Sequence, residues 1–360
     1  MNELNPTLTS RRPLVFKIYK EKNNQNDIFK ESFSDKAPSI EEDYVDCSFE
    51  DIISQDLSGA VILYDPTYYC NMECSFCDLP IKSKQAVDLD SIRYVLTGLS
   101  IIGVRDIVLT GGEPGIYNKL TNFLSLSSYL KFRVCMLTNG TWAATQAHAN
   151  KIVEKGLDQI VISLKSFSRH QSLKITGKDF HNLQISAIKN LSCLVKKGNL
   201  RDLTINHVLC DETLDEMHNV EWIKNLDIKP KIVISLVEPY TIQMMKLVPD
   251  LQKLKSSLKY HIDMLQNLGA EVKVEGLPLC LLDSKWILSR DLHRRNEQRP
   301  KILIRPYMNA DYVLYYKGYQ RIMQFKYVDK CENCSLIGKC PGIHIKYAEQ
   351  WNKYISPIDA

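Results

Sequence analysis

From residue 59 to about 270, short apolar runs alternate with longer stretches of helical spacing, and this alternation limits the fold more than any other feature. The runs Ala60–Tyr64, Asp106–Thr110, Phe132–Thr138, Gln159–Leu164, Leu203–Leu209 and Lys231–Leu236 read as buried strands. Between them, Asp90–Ile102, Lys119–Leu130, Ala143–Lys155, Phe180–Lys197, Leu214–Leu226 and Asp250–Leu268 read as helices. Gly103, Gly156, Gly198 and Gly269 stand where helices tend to stop. Six strand–helix units in a row predict a parallel sheet with right-handed crossovers. Six units fall short of a closed eight-stranded barrel. The expected fold class is therefore α/β, a partial (βα)6 TIM-like barrel, with a doubly wound sheet as the alternative.

Outside that interval the pattern changes. Residues 1–58 hold 12 acidic and 7 basic residues and read as a polar N-terminal leader, either a surface-wrapped arm or a docking arm. The segment 285–330 is basic, with tyrosines at Tyr307, Tyr312, Tyr315, Tyr316 and Tyr319, and it ends in cysteines. The expected division is a leader at 1–58, a barrel domain at 59–270 and a small cysteine-rich domain at 271–360. A formal net charge of +4 over 360 residues supplies no overall drive toward nucleic acid or acidic lipid. The tyrosine-rich basic stretch reads first as a solvated face over a small core, ahead of an RNA surface. No apolar run reaches the length of a membrane helix, and the first residues show no export signal. The expected location is the cytoplasm.

Eleven cysteines in such a chain point to metal or chemistry rather than disulfides. Directly after the first strand stands Cys70-Asn71-Met72-Glu73-Cys74-Ser75-Phe76-Cys77. Three thiolates at these spacings can converge on one centre from a single loop, as iron–sulfur ligands do. Structural zinc wants four ligands, and nothing local completes the set. The loop also lies beyond the carboxyl end of a parallel strand, where α/β sheets bind ligands.

Further motifs occupy the successive strand ends. Gly111-Gly112-Glu113-Pro114 follows the second strand, Thr138-Asn139-Gly140 the third, Ser163-Leu164-Lys165 ends the fourth, and Val237-Glu238-Pro239 follows the sixth. Alone, each reads as a turn or a satisfied strand end. Together, behind the cysteine loop, they resemble the radical SAM superfamily over residues 59–270. The resemblance implies a [4Fe-4S] cluster on Cys70, Cys74 and Cys77 whose open iron chelates S-adenosylmethionine. It also implies reductive cleavage to a 5′-deoxyadenosyl radical that abstracts a substrate hydrogen. Gly111 and Gly112 would let backbone approach the ligand, and Glu113 would accept from its ammonium. Asn139 and Ser163 would bond ribose hydroxyls or carboxylate, and Phe76 would lie beside adenine.

A second group, Cys331-x2-Cys334-x5-Cys340, is preceded by Cys280 in Gly276-Leu277-Pro278-Leu279-Cys280. Four thiolates make a closed set, and structural zinc is one reading. The arrangement also resembles the SPASM and twitch extensions of radical SAM enzymes. It departs from the full pattern: His344 stands where a fourth cysteine of the run is expected, and the glycine-to-cysteine gap is one residue short. One auxiliary [4Fe-4S] cluster on Cys280, Cys331, Cys334 and Cys340 is therefore expected, with one-electron transfer as its task. His344 is a candidate ligand or proton donor whose plainer role is structural.

Cys135 and Cys193 read as core residues, Cys47 has no assigned role, and Cys210 is a candidate hydrogen donor at a strand end. The expected function is a radical SAM oxidoreductase acting on a ribosomally made peptide, or on a small molecule in a cofactor or antibiotic pathway. Its expected electron source is a reducing protein such as flavodoxin or ferredoxin, with no membrane partner. A non-catalytic zinc- and RNA-binding module is the alternative from another class.

Overall fold

The computed structural model describes residues 12–19, 44–77, 79, 84–214, 220–239, 243–293, 298–307, 309–317 and 324–358. Much of the leader, at 1–11 and 20–43, lies outside the described residues, as does Tyr319.

Seven strands form the parallel body: β3 (Val61–Tyr64), β4 (Asp106–Leu109), β5 (Arg133–Thr138), β6 (Leu157–Leu164), β7 (Asp202–Leu209), β8 (Lys231–Leu236) and β9 (Glu271–Glu275), which follow β1 (Leu14–Tyr19) and β2 (Tyr44–Cys47) in the chain. They pair in sequence order, with Val61 opposite Asp106, Ile107 opposite Val134 and Ser163 opposite Asn206. The six predicted strands are all present, and β9 adds a seventh. Sequential parallel pairing places the crossover helices against the sheet, and alternation along the strands shows the two environments. In β7, Leu203, Ile205, His207 and Leu209 are buried, whereas Thr204, Asn206 and Val208 are half-buried. The first set packs under the helices, and the second lines the concave face.

Five of the six predicted helices form, at Leu89–Ile101, Leu120–Tyr129, Gln146–Glu154, His181–Lys196 and Leu251–Asn267. Of the sixth, expected at Leu214–Leu226, residues 215–219 lie outside the described residues, and the described part at Glu221–Asn225 is a 3-10 turn rather than an α-helix. Val220 and Ile223, beside and within it, are buried. An unforeseen helix at Arg169–Thr176 ends at Gly177, whose φ of 66° suits the left-handed stop.

The sheet does not end at the expected domain lines. β10 (Pro300–Tyr307) and β11 (Ala310–Lys317) form an antiparallel hairpin, and β10 pairs parallel to β3. β1 pairs parallel to β11, and β2 antiparallel to β1. The order is β2-β1-β11-β10-β3-β4-β5-β6-β7-β8-β9, eleven strands in one sheet. The line drawn at 270 therefore crosses a continuous sheet, and the described parts of the leader belong to it. Buried Asp311 ties these regions together, accepting from Arg12 at 2.7 Å and from the Asp88 N–H at 2.9 Å. Several basic residues of 285–330 are spent on ion pairs: Arg290 with Glu275, Arg299 with Asp106 and Arg305 with Asp65. A small pair, β12 (Phe325–Lys326) and β13 (Ile343–His344), flanks the second cysteine group. Among the described residues no helix is long and apolar enough to cross a membrane.

Candidate active site

The Cys70–Cys77 loop leaves the carboxyl end of β3 and is held from three sides. After β4, the Gly112 and Glu113 N–H groups donate to Thr67 O and Tyr69 O, each at 2.8 Å. The glycines permit this approach, because a Cβ on Gly112 would fall 2.2 Å from Tyr69 O and one on Gly111 2.8 Å from Thr67 O. Their closeness is thus to the chain's own cysteine loop. After β5, Asn139 Nδ2 donates to Asn71 Oδ1 at 2.7 Å, and Asn71 Nδ2 donates to Thr141 Oγ1 at 3.1 Å. From the unforeseen helix, Thr176 O and Ile175 O accept the N–H groups of Glu73 and Ser75, both at 2.9 Å. Three cysteines are thereby fixed on a loop whose backbone is tied to its neighbours.

Glu113 is the brace between two of these sides. Its carboxylate accepts from Thr138 Oγ1 at 2.5 Å, the Gly115 N–H at 2.7 Å and the Asn139 N–H at 2.7 Å. Burial pushes its pKa up, against those hydrogen bonds and the nearby Lys165 cation, which favour the charged form. Expected as a ligand acceptor, Glu113 is here engaged in joining the β4 and β5 loops. Asn139 is likewise engaged, its Oδ1 accepting from the Thr141 N–H and hydroxyl.

Ser163 lies at the end of β6 and accepts from Lys165 Nζ at 2.5 Å. Lys165 also stands 5.4 Å over the Phe76 ring and is electrostatically coupled to Cys70 and Glu113. A cation thus sits among the cysteine loop, Ser163 and Phe76. Gln184, fully buried, donates from Nε2 to Asn139 O at 2.8 Å and Ser163 O at 3.1 Å, joining the β5 and β6 strand ends. Asn71 and Gln184 were not foreseen, and Lys165 was seen only as part of a motif. Each acts through a tertiary contact that spacing does not encode.

The second group also converges. Cys280, Cys331, Cys334 and Cys340 line one narrow concavity of about 20 Å³ together with Leu279, Leu336, Ile343 and Ile355. Burial, then the neighbouring thiols, push Cys280 up to about 12. The N–H groups of Leu279 and Gly342 donate to Cys340 Sγ, each at 3.4 Å. Thiolates crowded into an apolar pocket need a cationic centre to neutralise them. Four thiols around one hollow are a closed set that fits either a four-iron cluster or a tetrahedral zinc. His344 lies elsewhere: buried on β13, it stacks edge-on to Phe325 at 5.4 Å and accepts the Lys346 N–H at 3.3 Å.

The scattered cysteines divide as well. Cys210 is fully buried in the hydrophobic core, with the Thr213 hydroxyl 3.7 Å from its sulfur and burial raising its pKa to about 11. It takes part in the turn after β7, where its N–H donates to the Thr213 hydroxyl oxygen at 2.9 Å. Cys135, within β5, and Cys193, on the helix His181–Lys196, are half-buried.

Residues 64–230 match the family model described as the radical SAM superfamily. The probable GTP 3′,8-cyclase of Sulfurisphaera tokodaii is 32% identical over 157 residues, 43% of this chain and 48% of that protein. That of Methanopyrus kandleri is 28% identical over 176 residues, 48% of this chain and 54% of its own. The chain spans about half the length of these curated relatives. Native anSMEcpe with bound AdoMet shares the fold at a TM-score of 0.54 and 14% identity, over 82% of this chain and 95% of that one. Its complex with AdoMet and the Cp18Cys peptide gives 0.54 and 15%, over 79% and 88%. Such a domain implies a [4Fe-4S] cluster and S-adenosylmethionine, and a three-cysteine loop braced at the strand ends fits them. The chain carries a radical SAM domain.

Proposed function

We propose that this chain is a radical SAM enzyme that abstracts a hydrogen atom from its substrate and carries a second, fully ligated cluster for electron transfer. The three-sided bracing of the Cys70–Cys77 loop is the observation that carries the proposal. When bound by Cys70, Cys74 and Cys77, the cluster supplies the electron that splits the sulfonium bond of S-adenosylmethionine. The chain's own residues bind and orient. Lys165, held against Ser163, offers a cation to a ligand carboxylate, and Phe76 beside it offers an aromatic face. Glu113 and Gln184 keep the β4, β5 and β6 strand ends in register with one another. At the carboxyl-end half of β7 and β8, Asn206 Oδ1 accepts the Ser235 hydroxyl at 2.7 Å, joining those two strands. Cys280, Cys331, Cys334 and Cys340 hold the second cluster.

The substrate we favour is a ribosomally made peptide. Supporting it, the fold shared with the peptide complex of anSMEcpe runs through most of this chain. A small molecule is the second reading, favoured by similarity to probable GTP 3′,8-cyclases over 43% of the chain. A flavodoxin or ferredoxin in the cytoplasm is the proposed electron source. Anaerobically reconstituted protein with a strong reductant is expected to form 5′-deoxyadenosine from S-adenosylmethionine. No nucleoside from fully iron-loaded protein would sink the proposal. Stimulation by GTP above the substrate-free rate would select the small-molecule reading.

A further inference from the structure

The segment 353–358 closes over the auxiliary cysteines. Ile355, Ser356 and Pro357 line the same concavity as the four thiols, and Ile355 is only 3% exposed. Two latches hold the segment down. Lys330 Nζ donates to Lys353 O at 3.1 Å and to Ile355 O at 3.3 Å. Ser335 donates its N–H at 3.0 Å and its hydroxyl at 2.9 Å to Ile358 O. Both latches are next to ligands in the chain, since Lys330 precedes Cys331 and Ser335 follows Cys334.

We propose that residues 353–358 are a latched lid of the auxiliary site, in which Ile355 excludes water and oxygen from the four cysteines. The proposal rests on the auxiliary-cluster reading. Its physical basis is that solvent exposure and hydrogen bonds to sulfur set both the lability and the potential of such a cluster. Apolar cover alone would be ordinary core packing. The paired latches, both anchored on residues adjacent to the cysteines they cover, make it part of the site.

The test uses the full chain with Cys70, Cys74 and Cys77 changed to Ala, so that only the auxiliary group is seen. Iron content and the decay of iron–sulfur absorbance in air are measured after anaerobic reconstitution. Into this background go Ile355→Ala and the double change Lys330→Met with Ser335→Ala. Ile355→Ala and the unlatched variant are expected to start with the parental iron content and lose it severalfold faster in air. Parental decay in both lid variants would overturn the lid while leaving the cluster. A background protein that binds no iron would overturn the auxiliary-cluster reading itself, and the lid with it. Ser335→Ala alone, a surface change, keeps the test decisive if a larger change fails to fold.

Discussion

The two cysteine sites are built on opposite plans. The Cys70–Cys77 loop is one continuous stretch at the open end of a sheet, its backbone paired to three neighbouring elements and its three thiols half-buried. The auxiliary site gathers cysteines from two distant stretches into an apolar hollow and is covered by a third. An open centre needs a rigid loop, because no fourth protein ligand fixes the geometry. A closed centre takes its geometry from four ligands and needs exclusion of solvent instead. The difference separates a site suited to binding a ligand from one suited to passing electrons.

The broadest way to break this division is to remove each ligand set. Changing Cys70, Cys74 and Cys77 to Ala is expected to cut bound iron from about eight to about four per chain, as two four-iron clusters require. It should also abolish 5′-deoxyadenosine formation. Changing Cys280, Cys331, Cys334 and Cys340 to Ala is expected to halve the iron as well but leave some nucleoside formation. Iron counting beside chromatographic nucleoside detection decides it. Equal loss of nucleoside in both variants would mean that the sites do not work separately.

Gly112→Ala probes the bracing with one methyl group. The new Cβ would meet Tyr69 O at 2.2 Å, so the cysteine loop must move away from the Glu113 side. Overpacking of this kind costs about 1–3 kcal/mol. The loss is expected to fall on the open site, with iron at Cys70–Cys77 depleted and the auxiliary iron retained. Spectroscopy on the reduced protein, with and without S-adenosylmethionine, reads the two clusters apart. Full retention of both would show that the loop tolerates displacement.

Gln184→Leu sharpens the contrast at smaller cost. It leaves the Asn139 and Ser163 carbonyls without their buried donor, a penalty of about 1–3 kcal/mol. Both strand ends belong to the open site, so affinity for S-adenosylmethionine should fall while iron content stays constant. A titration followed by the spectrum of the reduced cluster measures it. A drop in thermal stability with unchanged affinity would reduce Gln184 to a core residue.

The parallel strands and the motif order are legible in the sequence for a physical reason. Strands under a layer of helices read as apolar runs, and ligand-binding loops recur at one end of each. The bracing is not legible. The helix Arg169–Thr176 has only eight residues with few apolar ones, yet its carboxyl end carries two of the loop's backbone bonds. The pairing of β1 with β11 joins segments about 300 residues apart, and local pattern does not specify such partners. Glu113 shows the deeper limit. Its place in Gly-Gly-Glu-Pro suggests an acceptor for ligand, but nothing in that motif shows that Thr138, Asn139 and Gly115 also donate to its oxygens.

His344 is where the closed plan can be challenged with least disturbance. It occupies the position at which the resemblance expects a cysteine, so sequence alone leaves it a candidate ligand. Its ring instead stacks against Phe325, and Nδ1 serves the turn at Lys346, outside the lining of the thiol hollow. A phenyl ring in place of the imidazole would keep the aromatic contact and lose the turn bond. The change His344→Phe is therefore expected to cost about 0.5–1.5 kcal/mol of stability. Auxiliary iron and its midpoint potential should not change, since four thiolates already satisfy the centre. Loss of iron, or a shifted potential in a variant that still melts cooperatively, would make the imidazole a ligand. The second site would then be a mixed thiolate–imidazole centre, no longer defined by its four cysteines alone.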